Sequence, residues 1–198
     1  MTMKLCSYGF VASLGIAAGV LLLFPALAAA QASEARAPAN LILGTVASDR
    51  GTTATIPLYY QPAEDTPIRS LHLEVDFVSN SVKFAKAEKG IAAEIQDFDL
   101  AVETEELPPN DQELSRTRLK IAIAVVDSDP GKALPRGLWT FLDFRIPEDA
   151  KPFAITLTPV PVTAQDEAGQ PVEVTVEAGK VIVSVPDEPL VGCFFFTH

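Results

Sequence analysis

From residue 41 onward this chain is built of short runs in which apolar and polar side chains alternate, most plainly in "IRSLHLEVDFVSNSVKF", residues 68 to 84. Leu71, Leu73, Val75 and Phe77 alternate there with Ser70, His72, Glu74 and Asp76. Successive side chains of a pleated strand point to opposite faces, so such a segment has one oily face and one wet, charged face. The oily face needs a second layer to bury it. The same character recurs in "LILGTVA", in "TTATIPLYY" after the tight turn "SDRG", and in "AEIQDFDLAV". It returns in "RTRLKIAIAVVD", where Leu119, Ile121, Ile123 and Val125 share a face, and in "LWTFLDFRI", "FAITLTPVPVT" and "VEVTVEAGKVIVSV". About nine short strands separated by turn residues predict an all-β antiparallel sandwich. No internal repeat at a fixed period is evident, which argues against a propeller or a solenoid.

Several runs carry finer expectations. "LWTFLDFRI" sets Leu138, Thr140, Leu142 and Phe144 opposite Trp139, Phe141 and Asp143, so both faces are partly apolar, as in a strand covered on two sides. Pro159 and Pro161 in "FAITLTPVPVT" fit an edge strand or a bulge better than a sheet centre. The acidic, proline-bearing "ETEELPPNDQELS" cannot be a central strand and reads as a long loop. "VEVTVEAGKVIVSV" reads as a closing hairpin around "EAG", and "AEKGIAAEI" is the best helical candidate.

The first 32 residues have a different character. Lys4 precedes an uncharged apolar run from Phe10 to Phe24, followed by Pro25 and an alanine-rich stretch with small residues placed for cleavage after Ala30 or Ala32. That order is the layout of a signal peptide and predicts export, the alternative being a retained membrane anchor. Residues 33–40, "SEARAPAN", read as a flexible leader, residues 41–185 as the sandwich, and residues 186–198 as a tail. Loss of Lys4 leaves the exported chain one unit more negative than the −11 of the whole sequence. So acidic a domain repels phosphate backbones and anionic headgroups, which excludes nucleic acid as the partner and confines membrane contact to the signal segment or the tail. With Cys6 removed, Cys193 is alone, so neither an intramolecular disulfide nor a cysteine zinc site can form.

In order and spacing, "GTVASDRGTTATIPLYY", "IRSLHLEVDFVSNSVKF", "GLWTFLDFRIPEDA" and "DEAGQPVEVTVEAGKVIVSV" resemble the cohesin domain and its relatives among cellulose-binding β-sandwiches. The likeness covers roughly residues 41 to 185. It implies a nine-stranded sandwich with a jelly-roll path and a role in recognition, many members binding dockerin modules in polysaccharide-degrading assemblies on bacterial surfaces. In those members one sheet face takes part, including outward positions of the strand matching Leu71 to Phe77. Ser70 and His72 fall at two such positions, where dockerin binders carry Asn and Asp, and Val78-Ser79 stands where many members have Asp-Pro.

The candidate partner-binding set is therefore Ser70, His72, Glu74 and Asp76, which share a face by parity and equally suit plain hydration. His72 is the one histidine of the sandwich, readable as a contact residue on a binding face or as a solvated residue filling an outward slot. Trp139, Tyr59 and Tyr60 are too few for a platform that stacks on sugars, and Trp139 between apolar neighbours reads as core. "DSDPGK", with Asp127 and Asp129, lacks the ligand series of a calcium loop and reads as a turn. No Gly-x-Ser-x-Gly, His-Glu-x-x-His or phosphate-cradling glycine loop occurs, so no enzyme and no cofactor is expected. Cys193, in "GCFFFTH", is a candidate processing or anchoring residue, the alternative being a tail whose phenylalanines tuck against the sandwich. Three readings remain: a protein-recognition module with a dockerin-like or other surface partner, a carbohydrate-binding module, and a structural subunit of an envelope or appendage assembly.

Overall fold

A computed structural model describes residues 38–63, 67–126 and 131–184. The signal and most of the leader, Asp127 and Asp129 of the turn, and the tail with Cys193 lie outside the described residues. The strands are β1 (Ala39–Leu43), β2 (Thr45–Asp49), β3 (Thr53–Gln61), β4 (Ser70–Val78), β5 (Lys83–Lys89), β6 (Phe98–Leu107) and β7 (Arg116–Val125). They continue with β8 (Gly137–Arg145), β9 (Phe153–Pro159), β10 (Thr163–Gln165), β11 (Pro171–Val172), β12 (Val174–Glu177) and β13 (Gly179–Ser184). One turn of helix, α1 (Ala92–Ile95), lies inside the best helical candidate. One sheet has the order β12-β1-β3-β8-β5. The other runs β6-β7-β4, then β9-β13-β2, with β10 and β11 continuing beside β4. Joining β1 to β2, β9 to β10, and β11 through β13 leaves nine continuous stretches among the described residues. The fold is the all-β sandwich that the alternation predicts, with the jelly-roll path that the resemblance implies.

The period-two residues make the core. Leu71, Leu73, Val75 and Phe77 of β4 and Leu119, Ile121 and Ile123 of β7 are buried against Ile56, Leu58, Leu142 and Phe144 of the facing sheet. Phe77 meets Phe144 edge-on, with centroids 5.3 Å apart. Each such side chain contributes about 1.5–3 kcal/mol when fully withdrawn from water.

Three local expectations are corrected, and the prolines take the second of the two places expected of them. The two-sided burial read from "LWTFLDFRI" is a bulge: Leu58 pairs with Thr140 and Tyr59 with Leu138, so Trp139 is the extra residue. An extra residue resets the alternation and turns Trp139 and Thr140 both inward, while Phe141 and Asp143 stay half-buried on an open face. Residues 172–184 form no hairpin. β12 pairs with β1 and β13 with β2, both parallel and in different sheets, so the sandwich is not wholly antiparallel. The acidic segment is no loop from Glu103 to Leu107, since β6 extends to Leu107 as an edge strand paired, among the described residues, only with β7. An edge strand has one free side, where charge is favoured. The prolines sit at a bulge and not on an edge, because β9 lies between β13 and β4. Pairing with β4 slips by one residue between Pro159↔Val75 and Thr163↔His72, and the extra residue falls in the Pro159–Thr163 stretch. β1 starts at Ala39, two residues before the boundary read from sequence.

Trp139 donates its indole N–H to the Pro135 carbonyl at 2.7 Å and stacks on Tyr60, centroids 4.3 Å apart. Tyr60 is 1% exposed and its hydroxyl finds no partner among the described residues. Burial pushes its pKa up to about 12. A raised folded pKa holds stability below the unfolded value and loses it as pH rises. Between about pH 10 and 12 the unfolded chain ionises this phenol while the fold does not, at about 1.4 kcal/mol per unit. Tyr60→Phe is expected to raise stability at pH 7 by about 1 kcal/mol, since no hydroxyl is then buried unpaired. It is also expected to flatten the alkaline decline, as urea titrations from pH 8 to 12 would show.

β1 crosses to β2, and β12 to β13, at Gly44 and Gly179, which lie opposite one another in the parallel register. A Cβ on Gly179 would come within 2.2 Å of the Gly44 carbonyl oxygen and 2.8 Å of that of Leu43, backbone atoms with nowhere to go. Gly179→Ala is therefore expected to lower stability by about 1–3 kcal/mol or more in a thermal melt. Gly169→Ala, with nothing within 4 Å but a φ of +73°, should lose only the smaller cost of a left-handed alanine.

Candidate functional site

Pairing of β4 with β7, and of β7 with β6, lays the outward residues of the three strands in rows. Ser70 lies beside Ala124 and Asp99, and His72 beside Ala122 and Ala101. Glu74 lies beside Lys120 and Glu103, and Asp76 beside Arg118 and Glu105. On the other side of β4, Gln165 and Thr163 extend the first two rows and Thr158 the last. All four candidate residues are thus on one sheet face, but they divide into two kinds.

Asp76 and Glu74 are engaged within the fold. Arg118 donates Nε to Asp76 Oδ1 at 2.6 Å and Nη2 to Oδ2 at 3.0 Å, a paired geometry that fixes the guanidinium plane. Arg116 adds Nη2 to Asp76 Oδ2 at 3.1 Å, and Arg118 Nη1 reaches Glu74 Oε2 at 3.0 Å. The Asp76 side chain is only 12% exposed. Hydrogen bonding to Asp76, reinforced by the charges of Asp76, Glu74 and Glu105, holds Arg118 firmly charged. One row on, Lys120 Nζ meets Glu105 Oε2 at 2.8 Å, which lowers the Glu105 pKa and raises that of Lys120.

Ser70 and His72 belong to a second, low-lying part. His72 is exposed, Ser70 is half-buried, and their neighbours across β7 and β6 include Ala124, Ala122 and Ala101. His72, Glu74, Ala101, Glu103, Lys120 and Ala122 line a depression of about 270 Å³. Small side chains flanked by charged ones leave a shelf onto which another backbone can come close. No group of three or more metal-ligating side chains gathers among the described residues. Trp139 and Tyr60 are buried and cannot stack on a sugar, while the exposed aromatics Tyr59 and Phe153 lie on different sheets.

The sequence reading missed Arg116, Arg118, Lys120, Ala122 and Ala101. The signal was present in "RTRLKIAIAVVD", whose polar and small residues alternate with the apolar set already recognised. What the sequence withholds is that this run pairs with β4 from Ser70↔Ala124 to Val78↔Arg116.

Face and fold together define an all-β sandwich with one structured open sheet. A scan against protein-family models gives no match, and a comparison with curated protein sequences gives none either. Solved structures match over most of the chain. The sixth cohesin from scaffoldin B of Acetivibrio cellulolyticus, in complex with a Cel5 dockerin mutant, is 16% identical with a TM-score of 0.58, covering 75% of this chain and 100% of that one. A non-cellulosomal cohesin from the archaeon Archaeoglobus fulgidus is 19% identical with a TM-score of 0.54, covering 76% and 94%. The cohesin of a type I cohesin–dockerin complex from Clostridium thermocellum is 20% identical with a TM-score of 0.56, covering 76% and 97%. The fold of this chain is the cohesin fold.

Asp76→Ala strands two arginines that share one carboxylate. It is expected to cost about 1–2 kcal/mol, less than a fully buried pair because the arginines are partly exposed. In a double-mutant cycle with Arg118→Ala, chemical denaturation should return a favourable coupling between the two positions.

Proposed function

We propose that this chain is an exported, non-catalytic recognition module that binds a protein partner through the outer face of β6, β7, β4 and β9. The partner fitting the face is a helical module of the dockerin kind, seated on the shelf of Ala101, Ala122 and Ala124 with His72 at its border. The observation that carries this reading is that shelf, set against charged rows already fixed by Asp76, Arg118 and Lys120. A helix laid on small residues gains close contact without displacing ordered charge. The cohesin structures that share the fold and were solved with dockerins support the choice of partner. The apolar leader and its alanine-rich exit support export.

The test is capture from the envelope fraction of the native cell, followed by titration of the purified partner. The expected partner carries duplicated calcium loops, and its binding disappears with chelator. Ala122→Arg should leave the melting temperature within a few degrees of the parent and weaken binding about tenfold or more, 1.4 kcal/mol for each factor of ten. Binding unchanged by Ala122→Arg, or retention of polysaccharide alone, would overturn the reading.

A further inference from the structure

The inward row of β6 begins apolar, with Phe98, Leu100 and Val102 packed in or against the core, and changes character at Thr104 and Glu106. Its neighbours on β7 change as well: Val102 lies beside Ile121 and Thr104 beside Leu119, but Glu106 lies beside Thr117. Large side chains fill the roughly 10 Å between packed sheets, so polar ones in these inward slots leave a gap. A cleft of about 380 Å³ opens there, between β6 and β7 of one sheet and Lys83 and Phe84 of β5 in the other. The chain crosses from sheet to sheet at this end, between β4 and β5. The Ser79 backbone N–H donates to the Ser115 carbonyl at 2.9 Å, which brings both serines to the cleft wall.

The polar groups around this cleft are uncommitted. Lys86, Lys89 and Lys120 all meet carboxylates, whereas Lys83 and Glu106 make no ion pair or side-chain hydrogen bond among the described residues. The hydroxyls of Ser79, Thr104, Ser115 and Thr117 make none either. A hydroxyl both donates and accepts, an ammonium only donates and a carboxylate only accepts. A ligand with neighbouring hydroxyls matches that set, since its oxygens can accept from Lys83 while they donate to Glu106. Phe84, half-buried and edge-on to Phe144 with centroids 5.9 Å apart, adds an apolar wall suited to ring C–H groups. A zwitterionic amino acid would use the two charges and leave the four hydroxyls unmatched. The volume lies at the low end for small-molecule sites, which suits one ring and not a chain of them.

We propose that the open end of the sandwich between β5, β6 and β7 is a pocket for a single neutral sugar ring, held by Lys83, Glu106 and Thr117 against Phe84. Inward residues form it, so it stands apart from the outward docking face and neither reading depends on the other.

The methyl groups of Thr104 and Thr117 report on the pocket directly. Their nuclear magnetic resonance signals are followed in the full chain while methyl glycosides of glucose, galactose and mannose are added one at a time. At least one glycoside is expected to shift both signals to saturation with a Kd of about 1 mM, an ordinary strength for a ligand of this size. Lys83→Met and Glu106→Gln should each weaken that response about tenfold, the loss of a hydrogen bond to a charged group. Neither should move the melting temperature by more than a few degrees, since neither side chain is tied into the fold. Ala122→Arg, on the outward face, should leave the glycoside response unchanged, which keeps failure here distinct from failure of the docking reading. Absence of a saturable shift with all of these glycosides would overturn the proposal, as would shifts that survive both pocket variants. Saturation by glycine in place of the glycosides would also overturn it, assigning the pocket to a zwitterion.

Discussion

The first and last strands among the described residues close the sandwich, running side by side in the same direction and crossing from one sheet to the other together. Ala39 pairs with Val174, Ile42 with Glu177, Thr45 with Lys180 and Asp49 with Ser184, one register held through both sheets. Only two facing glycines let the backbones pass at the crossing, where Lys180 N–H donates to the Gly44 carbonyl at 3.3 Å. Side chains fasten both ends: Asn40 donates to Glu177 at 2.6 Å, and the Ser184 hydroxyl donates to Asp49 at 2.5 Å. These partners are 135 or more residues apart, so the ladder forms only once the intervening strands have found their places.

That closure decides which surfaces remain open. β1 and β12 take one end of their sheet, and β13 and β2 take one end of the other, which leaves β6 as the opposite edge of the larger sheet. β6 could not be a bare apolar edge without inviting further strands. Its acids Glu103 and Glu105 lie beside Lys120 and Arg118, so the device that protects the edge also furnishes the charged rows of the open face. Edge protection and the proposed recognition would use the same side chains.

Much of this was legible in the residues. Alternation in "SLHLEVDF" and "RTRLKIAIAV" assigns the inward side chains of β4 and β7 correctly, because burial imposes period two wherever a strand has one wet side. The pattern misleads where backbone geometry departs from it. Trp139 is turned inward by a one-residue bulge that a propensity reading takes for burial on two faces. Glu103 to Leu107 look like loop only when edge position is ignored, and the parallel passage through Gly179 looks like a hairpin because "EAG" is good turn sequence. The site suffers from the same gap. Parity placed Ser70, His72, Glu74 and Asp76 on one face, yet only the β4–β7 register reveals that Arg118 has claimed the two acids.

That claim shapes how the face can discriminate among partners. Asp76 already accepts three hydrogen bonds from two arginines, so an incoming cation would have to break a satisfied arrangement before gaining anything. Internally paired charges of this kind orient a partner and repel wrong ones more than they add affinity. In the proposed docking, the gain in free energy would come from the neighbouring rows, where Ala122, Ala101 and Ala124 offer close approach and His72, Thr163 and Gln165 offer hydrogen bonds. Cohesin-fold domains with different residues in these rows would then share a shape without sharing a partner, the low part of the face setting strength and the charged part setting register.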